Sequence, residues 1–420
     1  MRKIVLGLAA MALIFTSCSK DEVTGVNEQN PDVIGFFSST SRATVANLAT
    51  LQGDATGFKV YGTSTASSSG WFTGISGAVN YRYNSGWGWA TGAPQWPTVA
   101  TEYPMNFYAM YPAAPAGVVP SASAISQIDG AVTIQATAAA QVDLLAAKAT
   151  ATAKPGDGKL PLTFNHILSK VNFGVIAGNL TSPFVQSIGV KNVYNAATYD
   201  YVVGAWKGTP APVGVASYEY FKSTAVPFTT TGTAAEAPVA ILSTSTTPTA
   251  AAGNLMLLPQ THATWDKTAA TLASGSFVEM IYRLTAPGAP NSIGYTAATD
   301  YLVDYPATII PAWGTAPNNY SGIGTGGGQY SSKLFVKVGF PFAATNFTWA
   351  PGKGYTYNIG LGTSGSSNGY YTDDTYYDEH GQDTGIPVVG KKIGDPVSDG
   401  IIHFLVNVTN WDDLTPIDLP

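Results

Sequence analysis

The run LPLTFNHILSKVNFGVI, from Leu160 to Ile176, is the stretch whose reading decides the fold. Side chains alternate along an extended chain, so Leu162, Phe164, His166 and Leu168 fall on one face. Val171, Phe173 and Val175 then take over, and the alternation slips phase once between the two sets. At about 3.3 Å per residue the run is too long for one flat sandwich strand. A bulge or corner near Ser169-Lys170 accounts for both the length and the slip. His166 lies on the inward face. With no carboxylate or second histidine near it in sequence, it reads as a hydrogen-bonded core histidine and not as a ligand or base.

The same short-strand grammar extends over the whole chain. Phe58–Tyr61 and Met105–Tyr111 read as strands, the second stopped by Pro112. Further strands are expected at Val185–Tyr194, Tyr199–Trp206, Val239–Thr244, Leu255–Gln260, Phe277–Leu284 and Leu334–Phe340. Pro351-Gly352 forms a turn into the aromatic strand ending at Ile359, and Ile401–Trp411 is the last strand. Ala138–Lys148 has helical propensity without a clear period, which leaves helix and strand both open there. With 45 Gly, 27 Pro and 23 Tyr in 420 residues, turns are frequent and strands favoured. Charged residues make up only 11%, against ~25% in ordinary soluble domains. The net charge of −6 argues against a nucleic-acid partner, which would want a basic patch. The expectation is an extracellular all-β protein of two packed sandwiches, 43–178 and 179–420, with a polar insertion near 363–400 in the second.

The N-terminus carries an address. Arg2 and Lys3 precede an apolar run, Ile4–Phe15, that is too short to span a bilayer. Thr16-Ser17-Cys18 ends residues 1–17 like a bacterial lipobox, with Phe15 where leucine is usual. Cys18 is the only cysteine, so an internal disulfide and a thiolate zinc site are excluded. An acylated Cys18 would anchor the protein to the outer membrane. Ser19-Lys20-Asp21-Glu22 resembles the acidic signal that carries some Gram-negative lipoproteins to the cell surface. Within the segment 18–42 stands one small strand candidate, Val33-Ile34-Gly35-Phe36-Phe37. Ile34 and Phe36 share one face, with Val33 and Phe37 on the other. Burying them stabilises a sheet by roughly 1.5–3 kcal/mol per large side chain. The polar tip after it ends at Arg42, one of only four arginines; Arg82 and Arg283 sit in strand patterns. Arg42 is either a protease site or a solvated loop arginine. A cut after it would remove the strand and leave a groove for another subunit.

No catalytic constellation assembles. Gly322-Ile323-Gly324-Thr325-Gly326-Gly327 lacks a following helix, and Gly365-Ser366-Ser367-Asn368-Gly369 lacks the strand–turn–helix of a nucleophile elbow. The acidic group Asp373, Asp374, Asp378, Glu379 and Asp383 lacks EF-hand spacing and reads as a solvated loop before it reads as a calcium site. His262, His380 and His403 are scattered. Neither an enzyme nor a metal or cofactor is expected. Trp71, Trp87, Trp89 and Trp96 form either a sugar-stacking platform or the lid of a sandwich core.

A set of ordered motifs adds a resemblance. It comprises the lipobox with a downstream arginine, Trp96-Pro97, Asn106-Phe107-Tyr108-Ala109 and Tyr111-Pro112. It continues through Leu162-x-Phe164-x-His166-x-x-Ser169-Lys170-Val171, Leu258-Pro259-Gln260, Trp349-x-Pro351-Gly352-Lys353-x-Tyr355-x-Tyr357 and the strand into Trp411. In these the chain resembles the fimbrillins, the pilins of type V pili. The resemblance implies two transthyretin-like β-sandwich domains in tandem after a lipoprotein signal peptide. It implies trimming after Arg42 by a trypsin-like surface protease, with Ala43 as the new start, and a place in the fimbrium after processing. Polymerisation follows by strand exchange with other pilin subunits, a neighbour's C-terminal segment filling the groove. Here Leu414, Ile417 and Leu419 are the candidate donor residues, a marginal set interrupted by Pro416. Stalk, tip and anchor positions stay open, as does a host or bacterial surface receptor. The competing reading is a non-polymerising surface lipoprotein that binds glycans through residues 71–96.

Overall fold

The run from Leu160 to Ile176 folds as two strands in two different sheets. The computed structural model describes residues 32–40, 54–64, 79–83, 87–90, 92, 94–115, 118–124, 127–177, 182–207, 215–222, 239–240, 254–262, 264–267, 275–285, 335–342, 347–361, 369–377, 383–388, 391–397 and 402–410. Among these residues the protein is all-β, with only two 3-10 turns and no α-helix. The strands of the first half are β1 (Gly35–Thr40), β2 (Phe58–Ser64), β3 (Val79–Tyr83), β4 (Trp87–Trp89) and β5 (Met105–Tyr111). They continue with β6 (Val118–Ala124), β7 (Gln127–Thr133), β8 (Leu145–Ala151), β9 (Lys159–His166) and β10 (Ser169–Ala177). Next come β11 (Ser182–Tyr194), β12 (Ala196–Asp200), β13 (Ala205–Trp206), β14 (Val215–Lys222), β15 (Val239–Ala240) and β16 (Leu255–Leu257). The last are β17 (Phe277–Thr285), β18 (Val336–Pro341), β19 (Lys353–Leu361), β20 (Tyr370–Tyr371), β21 (Thr375–Tyr377), β22 (Asp383–Pro387) and β23 (Ile402–Asn410).

The first sheet runs β1-β9-β8-β5-β2-β3-β4. One face of it, carrying Phe58, Val60, Phe107, Ala109, Leu145, Leu162 and Phe164, closes over the first hydrophobic core. On β5 the alternate residues Tyr108 and Met110 point the other way, into a second core. Ile128 and Val132 of β7 and Tyr199 of β12 reach that second core from the sheet β13-β12-β7-β6. Most of it lies between two further sheets, β16-β10-β19-β23 and β14-β11-β17-β18-β20. Val171, Phe173, Tyr355, Tyr357 and Ile359 come from the one, and Ile188, Val190, Val278, Met280, Val338 and Phe340 from the other. Apolar faces of facing sheets interdigitate there as in a sandwich.

The phase slip marks a corner. β9 ends at His166 and β10 begins at Ser169, with Ile167 and Leu168 fully buried between them. Beyond the corner β10 pairs in parallel with β19 and antiparallel with β16. His166 is a core histidine held by a distant partner, since its Nδ1 lies 2.9 Å from Asp143 Oδ1 and both side chains are nearly inaccessible. The Ala-rich segment resolves into a 3-10 turn at Ala138–Ala140 and the strand β8. Pairing of β8 with β5 and the burial of Leu145 and Ala147 outweigh the intrinsic helical preference of alanine. Pro351-Gly352 makes the expected turn, with Gly352 at φ +67, a conformation open to glycine without strain.

Candidate functional site

Ile34 and Phe36, the two residues that alternation places on one face of the N-terminal strand, are 0% and 2% exposed. Phe36 enters the first core from β1 and Ile34 from the residue just before it; β1 lies along β9 in parallel register from Gly35 opposite Lys159 to Thr40 opposite Phe164. Parallel strands cannot be joined by a tight hairpin. β1 is therefore seated by tertiary contacts with a strand far away in sequence.

Alternate peptide groups of a strand face its two neighbours. On one side Gly35 donates its N–H to Gly158 O at 2.9 Å, just ahead of the β9 ladder. On the other side no ladder forms among the described residues, and single groups meet β1 and the residues just before it instead. Ile34 N–H donates to Pro94 O at 2.8 Å, Trp96 N–H to Asp32 O at 2.8 Å, and Val33 makes an isolated bridge with Gln95. The Trp89 indole Nε1–H donates to Ile34 O at 2.7 Å. The Tyr81 hydroxyl accepts from Phe36 N–H at 3.0 Å and donates to Phe36 O at 3.2 Å. One hydroxyl thus satisfies both main-chain groups of one residue, which its donor and acceptor capacity allows. Burial pushes the Tyr81 phenol up to about 12, so it keeps the proton that it donates.

The Phe36 ring is caged. It meets the edges or faces of Tyr81, Trp89 and Phe107 at centroid distances of 5.3, 5.7 and 5.3 Å, all near-perpendicular. Such pairs contribute about 0.5–1.5 kcal/mol each beyond area burial. The β1 and β4 edges of the first sheet meet across this cage, and the sheet curls towards closure around Ile34. Lys154 pairs with Asp32 at the surface end of the strand.

Val33 is half-buried and Phe37 lies within β1. Cys18, Arg42, Ala43, Leu414, Ile417 and Leu419 lie outside the described residues, as do the side chain of Phe37, residue Trp71 and the side chain of Trp87. Trp89 and Trp96 are turned inward: Trp96 is 4% exposed and donates its Nε1–H to Gly158 O at 2.9 Å. These two are the lid of a core and not part of a sugar platform. In the acidic stretch, Asp373 accepts from Asp374 N–H at 2.9 Å and from the Tyr377 hydroxyl, and Asp383 accepts from Gly385 N–H at 2.8 Å. Asp378 and Glu379 lie outside the described residues. Among the described residues no three His, Cys, Asp or Glu side chains are grouped to hold a metal. His262 stacks on Phe342 at 4.3 Å and meets Trp349 edge-on at 4.2 Å, and burial pushes it down to about 3. It is a neutral filler in an aromatic cage.

Sequence reasoning missed Tyr81 and the main-chain role of Trp89. Tyr-Arg-Tyr was legible as a strand, but nothing local shows that its first hydroxyl reaches a residue 45 positions away.

A fimbrillin-like family model matches residues 41–372 of the chain. Among solved structures, a fimbrial protein from Bacteroides vulgatus is similar at 13% identity, covering 90% of this chain and 99% of that one, with a TM-score of 0.49. A putative cell adhesion protein from Bacteroides uniformis aligns at 14% identity over 86% of this chain and 95% of its own, TM-score 0.38. Another from Parabacteroides distasonis aligns at 8% identity over 92% and 98%, TM-score 0.39. No curated protein matches the chain.

Proposed function

The chain belongs to the fimbrillin-like family, and on that premise we propose that it is a structural and adhesive subunit of a cell-surface pilus, assembled by exchange of its first strand. The observation that carries this reading is β1 itself, an N-terminal strand whose Phe36, with Ile34 just before it, is part of the first core. It lies at one end of the sheet order, and among the described residues its only ladder is with β9. Loss of such a strand opens a main-chain edge and an apolar groove together, and an incoming strand satisfies both at once.

In this reading the protein is exported as a lipoprotein on Cys18 and held in the outer membrane until a surface protease cuts it. Water adds across the Arg42–Ala43 peptide bond, leaving a carboxylate on Arg42 and an ammonium on Ala43. β1 is then held only by non-covalent contacts and can be replaced by a neighbour's segment, for which Leu414, Ile417 and Leu419 are the candidates in this chain. Two transthyretin-like domains, 43–178 and 179–420, follow the cut site. The matching family is fimbrillin-like, and no catalytic step enters this reading of the mature chain. The inward Trp89 and Trp96 leave a glycan platform with two of its four tryptophans committed elsewhere.

N-terminal sequencing and intact mass of protein sheared from the cell surface test the reading. A start at Ala43, and loss of the polymer ladder in Arg42→Ala, are expected. A start at Cys18 in every molecule, or an unchanged ladder in the variant, overturns it.

A further inference from the structure

We infer that Tyr81 and Trp89 read the main chain of whatever strand fills the β1 seat, and that the seat selects a strand of a different pilin subunit bearing an aliphatic residue, then an aromatic one two positions later with a free N–H. The inference rests on the strand-exchange reading and names the partner of that same groove.

The main-chain groups of Ile34 and Phe36 face away from β9, towards a side where a sheet would ordinarily place another strand. Buried peptide groups without partners are costly. Here the Trp89 indole meets Ile34 O at 2.7 Å, and the Tyr81 hydroxyl bridges Phe36 N–H and Phe36 O. Both side chains address peptide groups, which every extended segment presents. The exception is proline at the Phe36 position, which has no N–H for the Tyr81 oxygen. Recognition by Tyr81 and Trp89 is thus tolerant of sequence, and sequence selection falls to the side-chain pockets.

Those pockets differ. Ile34 is fully buried, while Phe36 is met by three rings at 5.3–5.7 Å. An aliphatic residue in the second pocket loses the edge-to-face contacts and leaves part of the volume empty. Ile417-Asp418-Leu419 has the right spacing but two aliphatic residues. Among the candidate donor residues Leu414, Ile417 and Leu419 none is aromatic, and the aromatic pocket points instead to a strand of another subunit.

The test uses the full chain nicked after Arg42 by an arginine-specific protease, challenged with fluorescent peptides. These are residues 32–40 (DVIGFFSST), its Phe36→Leu and Phe36→Pro versions, and residues 414–420 (LTPIDLP). The 32–40 peptide is expected to displace the resident strand, the leucine version to bind about tenfold more weakly, and the proline version not to bind. Tyr81→Phe keeps the ring and is expected to weaken the 32–40 and leucine peptides alike by about tenfold, with their ratio unchanged. Equal binding of the proline version, or no effect of Tyr81→Phe, overturns the main-chain role. Tighter binding of 414–420 than of 32–40 overturns the choice of a different subunit. If the chain resists nicking or the strand does not exchange, it is the strand-exchange reading that fails. Hydrogen exchange in the intact chain then still decides the Tyr81 role: Tyr81→Phe speeds exchange at Phe36 about tenfold while Phe107 on β5 is unchanged, or that role is wrong.

Discussion

Among the described residues two parallel strand pairs feed hydrophobic cores, β1 with β9 and β10 with β19. The second pair is central: β16 flanks β10 and β23 flanks β19, both antiparallel. The first pair stands at the end of its sheet, and the far side of β1 and the residues just before it meet isolated main-chain and side-chain groups where the far side of β10 meets a strand. Tyrosine hydroxyls bridge main-chain groups in both places. Tyr81 does so for Phe36, and Tyr355 accepts from Ala350 N–H at 2.7 Å and donates to Thr348 O at 3.2 Å. In the second core that bridge ties together parts of one continuous Thr348–Tyr355 segment. In the first it ties an N-terminal strand to a sheet that it enters from outside. A strand laddered on both sides can leave only by breaking two ladders. One held by a single ladder and a few isolated hydrogen bonds has only one ladder to break.

The largest expected effect separates the two cores. Phe173→Ala, in the middle of the second, should destabilise by about 3–5 kcal/mol and lower the main unfolding transition seen by calorimetry. Phe36→Ala removes a ring of equal size, yet its effect should be confined to β1. Limited proteolysis should show faster cutting in the N-terminal segment while the main transition stays close to wild type. Coincident loss of both regions in Phe36→Ala would erase the distinction.

Acid should act on the second core through His262. Its folded form prefers the neutral ring down to about 3, against about 6.5 for a free imidazole. The unfolded chain therefore binds more protons between those values, and the stability that His262 contributes is lost as pH falls from about 6.5 towards 3. The loss amounts to a few kcal/mol at most. Denaturant midpoints at pH 7 and pH 4 should converge in His262→Phe, which keeps an aromatic ring in the cage. A wild-type pH dependence in that variant would show another group to be responsible.

Smaller changes sharpen the picture. Trp349→Phe removes the 2.7 Å bond from Nε1 to the buried Tyr357 hydroxyl and should cost about 1–3 kcal/mol by urea unfolding. Lys154→Ala deletes the surface pair with Asp32, whose side chain is 64% exposed. It should change the protection of β1 by less than about 1 kcal/mol, an effect that salt also removes.

Much of this architecture could be read in advance, for identifiable reasons. Alternation predicted β1 and the buried face of Ile34 and Phe36, because a period of two leaves no other way to hide two large side chains on a strand. The phase slip predicted a corner near Ser169-Lys170, and the chain turns just before it, at Ile167-Leu168, because a strand leaving one sheet for another must change which side is inward. The partner of His166 could not be read, since Asp143 stands 23 positions upstream. Trp89 and Trp96 could not be assigned between platform and core, because composition does not say which way a ring turns.

What the chain's own sequence determined is therefore local: where extended segments begin and end, which of their faces are apolar, and where Pro351-Gly352 forces a turn. Those properties follow from side-chain period and backbone sterics, which act within a few residues. Only the tertiary structure decided that β1 lies parallel to β9 and that Tyr81 and Trp89 complete its other side. The physical reason is that strand pairing is made through peptide groups, which are alike at every position. Which edge a strand joins is settled by the fit of distant side chains around it, here the three rings that close on Phe36.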